Sequence, residues 1–203
     1  MNNFYKNRKG FSYAEIMTVV AIMMILSTIT IANIRNTGNS SELFVSVQKV
    51  ISDIRFVQNM SLSATEFEGE SPAGGWGLVF DKDKDFFYIY ADKANVVAGI
   101  DVIDHVCLND CDDTSEEFYK KIDLPAGTTI DRIYKVRRAD NAVIDTQKMT
   151  ITFEPPDPAT HFCETDIDCD YDKVGIILIN DNLDKREIII NFFGLVDTNE
   201  VYY

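Results

Sequence analysis

Residues 11–34 read FSYAEIMTVVAIMMILSTITIANI, and the way this stretch is read decides the fold. No residue from Ile16 to Ile34 is charged, and Arg35 closes the run. About twenty apolar residues in a helix match the hydrocarbon thickness of a bilayer, so the run predicts a transmembrane helix. Met1–Gly10 before it is short, polar and basic, with Lys6, Arg8 and Lys9 and no acid. Such a leader is expected to stay on the cytoplasmic side and send the C-terminal body outward. A cleavable secretory signal would put small residues after the apolar stretch, and Ser27-Thr28 and Ala32-Asn33 are poor versions of that. Glu15 stands out, because a carboxylate at the edge of hydrocarbon needs a partner or a function. Cleavage after Gly10 would free an α-amino group on Phe11. That cation would lie one helical turn from Glu15, or beside the Glu15 of a neighbouring chain, and would neutralise it.

Working outward, Asn36–Ser41 is polar and contains Gly38, and Asn39 with Glu42 fits a capping box. Leu43, Val47, Val50, Ile51, Ile54, Val57 and Leu62 then recur at three- and four-residue steps, which predicts an amphipathic helix to about Thr65. From Trp76 the pattern changes to strands. Trp76–Phe80 and Phe86–Tyr90 read as a hairpin around Asp81–Asp85; Thr129–Val136, Met149–Phe153, Val174–Asn180 and Glu187–Phe193 are further strands. Glu116–Ile122 reads either as a short strand or as a helical turn. Pro155, Pro156 and Pro158 open what reads as a long loop carrying Cys163 and Cys169.

The formal net charge is -14, which disfavours phosphate or nucleic-acid partners. Arg132, Lys135, Arg137 and Arg138 are the one basic cluster, and the tail from Asp197 to Tyr203 is acidic. Neither His105 nor His161 belongs to a hydrolase or nucleotide-binding string, so no catalytic residue and no enzyme activity is expected. Each histidine lies two residues before a cysteine, in His105-x-Cys107-x3-Cys111 and His161-x-Cys163-x5-Cys169. That spacing is not a zinc ribbon, and an oxidising exterior favours disulfides, with the local pairs Cys107–Cys111 and Cys163–Cys169 preferred. The chain is read as cofactor-free, with Ca2+ the alternative at Asp166, Asp168, Asp170 and Asp172. The run Asp81, Asp83, Asp85 reads as a solvated turn, and neither run has the glycine of a sharp calcium loop.

The string Lys9-Gly10-Phe11-Ser12-Tyr13-Ala14-Glu15 before a long apolar run resembles the class III leader of type IV pilins and type II secretion pseudopilins. The resemblance implies that a prepilin peptidase cuts between Gly10 and Phe11 and N-methylates Phe11, and that Glu15 acts in assembly. Tyr13-Ala14 departs from the usual aliphatic pair, and Met24 and Ala32 stand where many major pilins carry Gly and Pro. The later strands look like the H/T-type minor pilins, which fold as a helix against a two-sheet sandwich. The implied class is α+β: a long N-terminal helix, transmembrane half plus amphipathic half, packed on an antiparallel β-sandwich-like domain. The implied domains are a cleaved leader (1–10), a transmembrane and filament-core helix (11–35), its amphipathic continuation (36–65) and an extracytoplasmic β domain (66–203). The implied localisation is a single-pass inner-membrane protein that later enters an extracellular or periplasmic filament. Expected partners are the prepilin peptidase, other pilins or pseudopilins, the inner-membrane assembly platform and, before assembly, membrane lipid; no nucleic acid is expected. The alternative function is a membrane-anchored binding or adhesion module with disulfide-stiffened, Ca2+-binding loops.

Overall fold

The computed structural model describes residues 10–93, 95–97, 100–103, 105, 107, 111, 114–155, 159–164, 169 and 171–200; the side chains of 30–41, 95–97, 100–102, 159 and 200 fall outside that description. Helical backbone, α1, covers Tyr13–Leu62. The chain divides into two compact units, Met1–Ser40 and Ser41–Tyr203, so the helical residues of each are described separately.

In the first unit the described side chains of residues 13–29 are exposed, apolar and aliphatic ones included. In the second unit the stripe Leu43, Val47, Val50, Ile51, Ile54, Val57 and Met60 is buried. Met60, not Leu62, closes that stripe; Leu62 is exposed. The capping box expected at Asn39 rests on a side chain outside the description.

The rest of the second unit is antiparallel β. One five-stranded sheet has the order β5 (Phe118–Asp123), β2 (Phe86–Asp92), β1 (Gly75–Asp81), β8 (Lys148–Glu154), β9 (Ala159–Cys163). The other has the order β12 (Val196–Glu200), β11 (Lys185–Asn191), β10 (Tyr171–Asn180), β6 (Thr128–Arg137), β7 (Val143–Thr146). A small hairpin joins β3 (Asn95–Val97) and β4 (Ile100–Val102). Period-two alternation explains the layers. Trp76, Leu78 and Phe80 of β1, Phe87, Ile89 and Ala91 of β2, and Met149, Ile151 and Phe153 of β8 enter one apolar core. Ile130 and Ile133 of β6, Val174, Ile176 and Leu178 of β10, and the α1 stripe enter the same core. Two buried serines tie α1 to the sheets: Ser46 Oγ lies 3.0 Å from Thr128 Oγ1, and Ser61 donates to the Phe153 carbonyl.

The expected fold class is corrected. The chain is predominantly β, in two antiparallel sheets, and its helical residues divide between two compact units. Among the described residues no helix is long and apolar enough to cross a membrane. This finding overturns both the transmembrane half of the expected helix and the single-pass membrane localisation. Hydroxyls lower the apolar character of the described part of the run: Thr18, Ser27 and Thr28 lie within it, and Thr18 and Thr28 donate to the carbonyls of Glu15 and Met24.

Three local readings also change. The open segment before Ile122 is strand β5, paired with β2. The loop expected to follow Pro155 contains β9, which pairs with β8. The last expected strand ends at Asn191; Asn191 Oδ1 accepts the Phe193 and Leu195 amides in a turn, and β12 follows.

Candidate functional site

Two places in the chain gather chemistry. The first is the N-terminal segment. Gly10 is exposed with open space around it, and Phe11 is 81% exposed. Ser12 and Glu15 form a reciprocal cap: the Ser12 amide donates to Glu15 Oε2 at 3.2 Å, and the Glu15 amide donates to Ser12 Oγ at 3.3 Å. Two amides at the helix start are thereby satisfied, and the carboxylate sits at the positive end of the helix dipole. The sequence singled out Glu15 for its charge; its capping geometry was equally legible in the Ser-x-x-Glu spacing.

The second place lies on the outer face of the sheet that holds β1. There Tyr90 and Asp92 of β2, Thr152 and Glu154 of β8, and His161 and Cys163 of β9 alternate away from the core residues. Of the described residues that follow β2, His105, Cys107 and Cys111 lie against this face. Cys107 is disulfide-bonded to Cys111, both buried beside Val79 and Tyr90. Cys163 is bonded to Cys169. Both disulfides are therefore the local ones, and the four sulfurs are unavailable as metal ligands.

His105 is positioned from several sides. Its backbone has φ +57°, a left-handed value that His tolerates better than most residues. Its carbonyl accepts from Tyr90 at 3.1 Å and from Thr152 Oγ1 at 3.0 Å. Its Nδ1 lies 3.2 Å from Oδ2 of the fully buried Asp92. Asp92 in turn occupies the space where a Gly74 Cβ would fall, 2.0 Å from Oδ2, so residue 74 has to be glycine. The ring of His105 stacks on that of His161 at 3.9 Å, 3° from parallel. His161 Nε2 lies 3.0 Å from Glu154 Oε2. Burial, reinforced by the neighbouring His105, pulls the His161 pKa below its usual range against the opposing pull of Glu154. One donor atom each from His105, Glu154 and His161 falls within 4.8 Å of the others.

The sequence flagged both histidines but missed Asp92 and Glu154. Strand parity was the signal that could have found them, since each is the last outward residue of its strand. Of the Ca2+ candidates, Asp166, Asp168 and Asp170 lie outside the described residues. Asp172 is engaged by Arg138, whose Nε donates at 2.8 Å. The basic cluster is matched by acids throughout: Arg132 with Asp145, Lys135 with Glu164, Arg137 with Asp140 and Arg138 with Asp172. One more titrating group is poorly served: Asp53 on α1, whose buried Oδ2 has no hydrogen bond, has its pKa raised by desolvation despite Lys49 and Lys120.

No family model, curated protein or solved structure matches this chain.

Proposed function

We propose that this chain is a structural subunit of a pilin-like filament, a minor pilin or pseudopilin, that assembles through the apolar helical residues following Gly10. One observation carries the reading: residues 11–29 expose an apolar surface that includes Phe11, Tyr13, Ile16, Ile22, Met23, Met24, Ile25, Leu26 and Ile29. A contiguous apolar surface of this kind marks an interaction site. Its occupant in this proposal is the same segment of further subunits, because apolar residues on every side of a helix suit a bundle of like helices better than a one-sided groove. The resemblance of residues 9–15 to a prepilin leader adds the processing step, with the peptidase acting between Gly10 and Phe11. The new Phe11 ammonium then lies next to the Ser12 cap and pairs with Glu15 of its own or a neighbouring subunit.

Two substitutions separate capping from charge. Glu15→Gln keeps the cap, since glutamine serves the same position of a capping box, and removes the charge. Ser12→Ala removes the cap and keeps the charge. Glu15→Gln should abolish incorporation into filaments, whereas Ser12→Ala should reduce it only in proportion to the lost helix stability, about 1 kcal/mol. Mass spectrometry of the mature protein should give Phe11, methylated, as the first residue. An intact Met1, or normal assembly of Glu15→Gln, defeats the proposal.

A further inference from the structure

We propose that His105, His161 and Glu154 bind one divalent transition-metal ion of the Zn2+ class, with Asp92 behind His105 as the group that orients it. The donor chemistry sets the class. Two imidazoles and one carboxylate suit Zn2+, Co2+, Ni2+ or Cu2+, while Ca2+ and Mg2+ prefer all-oxygen sets. The cysteines next to both histidines are locked in disulfides, so the site has no thiolate. Three protein donors leave a fourth tetrahedral position for water.

The surroundings are those of a held site. Asp92 is fully buried and its Oδ2 lies 3.2 Å from His105 Nδ1, close enough to orient the ring although the two atoms form no aligned hydrogen bond in this arrangement. The His105 carbonyl is clamped by two hydroxyls, and the disulfides lie two residues beyond each histidine. Glu154 and His161 sit on the paired strands β8 and β9, both on the outward face.

One feature of the geometry limits how the ion enters. Imidazole lone pairs lie in the ring planes, and these planes are stacked nearly parallel at 3.9 Å. A single ion therefore cannot meet both lone pairs until one ring turns. His161 is the ring better placed to do this: it stands on the edge strand β9 and is partly exposed, and by turning it would trade its 3.0 Å contact with Glu154 Oε2 for the shared ion. His105 also gains by turning: its buried Nδ1 has no aligned hydrogen bond in the stacked arrangement. Metal binding thus unstacks the rings, and protons compete with the ion for the same nitrogens.

The test uses the full chain, free of any affinity tag and with both disulfides intact. After dialysis against micromolar Zn2+, elemental analysis should give one Zn2+ per chain, and equimolar Ca2+ should not displace it. Substitution by Co2+ should give the visible absorption of a four- or five-coordinate nitrogen and oxygen site. His161→Ala and Glu154→Gln, both at partly exposed positions, should keep the circular dichroism of the parent. His161→Ala should lose stoichiometric binding, and Glu154→Gln should weaken it about tenfold or more. Asp92→Asn should weaken it by about 10–100-fold without changing the stoichiometry. Absence of stoichiometric Zn2+ from the parent overturns the proposal, as does undiminished binding by a folded His105→Ala, His161→Ala double variant.

Discussion

On the outer face of one sheet Tyr90 of β2 lies across Gly77 of β1; on the outer face of the other, Tyr134 of β6 lies across Gly175 of β10. The two pairs are alike as cross-strand units. A Cβ added to either glycine would fall 2.3 Å or 2.1 Å from the tyrosine ring. They differ in what lies above. Tyr90 is fully buried, and its hydroxyl meets Thr152 Oγ1 at 2.5 Å and the His105 carbonyl at 3.1 Å. Tyr134 is only partly buried, and its hydroxyl donates to Glu187 at 2.7 Å. The same local device is a structural plug on the covered face and a surface ornament on the open one. What separates them is the cover that carries His105 and the Cys107–Cys111 bridge, not the strands.

The sharpest way to break this comparison is to fill the two glycines. Gly77→Ala pushes a fully buried ring against its cover and should cost about 2–3 kcal/mol, in the range of core overpacking. Gly175→Ala meets a ring that can swing toward solvent and should cost less than about 1 kcal/mol. Urea midpoints at unchanged slope measure both. Equal costs would mean that the cover yields as readily as water.

Next in size is the bridge inside the cover. Replacing Cys107 and Cys111 together by serine releases a short loop, for which chain entropy predicts a loss of about 2 kcal/mol. The open face has no counterpart, so this loss belongs to the covered face alone.

The tyrosine hydroxyls come third. Tyr90→Phe removes one of two donors to the His105 carbonyl and should cost about 1–1.5 kcal/mol. Tyr134→Phe breaks a bond that water can replace, and should cost about 0.5 kcal/mol. A reversed order would show that the charge on Glu187 outweighs burial.

The strands that build both faces were readable from alternation: Trp76–Phe80, Phe86–Tyr90, Thr129–Val136, Met149–Phe153 and Val174–Asn180 all fall inside observed strands. So was the buried stripe from Leu43 to Val57. Both concern contacts set by local periodicity. The candidate metal site was only half readable. The repeated His-x-Cys pattern marked His105 and His161, but nothing local says that residues 56 apart in sequence stack ring on ring. That depends on β9 pairing with β8, and the prolines at 155, 156 and 158 disguised β9 as loop, although residues 159–163 contain no proline. Asp92 and Glu154 were lost among 33 acids because their meaning comes from register, not from neighbours. The membrane reading failed differently: hydropathy alone suggested a span, whereas among the described residues no helix is long and apolar enough for one.

The smallest effect separates the two faces by pH. His161 is held below its usual pKa, first by burial and then by His105. The unfolded chain therefore binds a proton at this position at a higher pH than the folded chain does. Stability is full above the unfolded value of about 6.5 and falls as the pH drops through it toward the lower folded value. On the open face Tyr134 is shifted upward, first by burial and then by its bond to Glu187, so its contribution is lost only in strong alkali. Between pH 7.5 and 5.5, then, this pair of groups makes the covered face the one that responds. His161→Gln should flatten the fall in urea stability over that window, and Tyr134→Phe should leave its slope unchanged. Should Tyr134→Phe alter the slope as much as His161→Gln does, the two faces would not be electrostatically separate, and the cover would lose the role that distinguishes them.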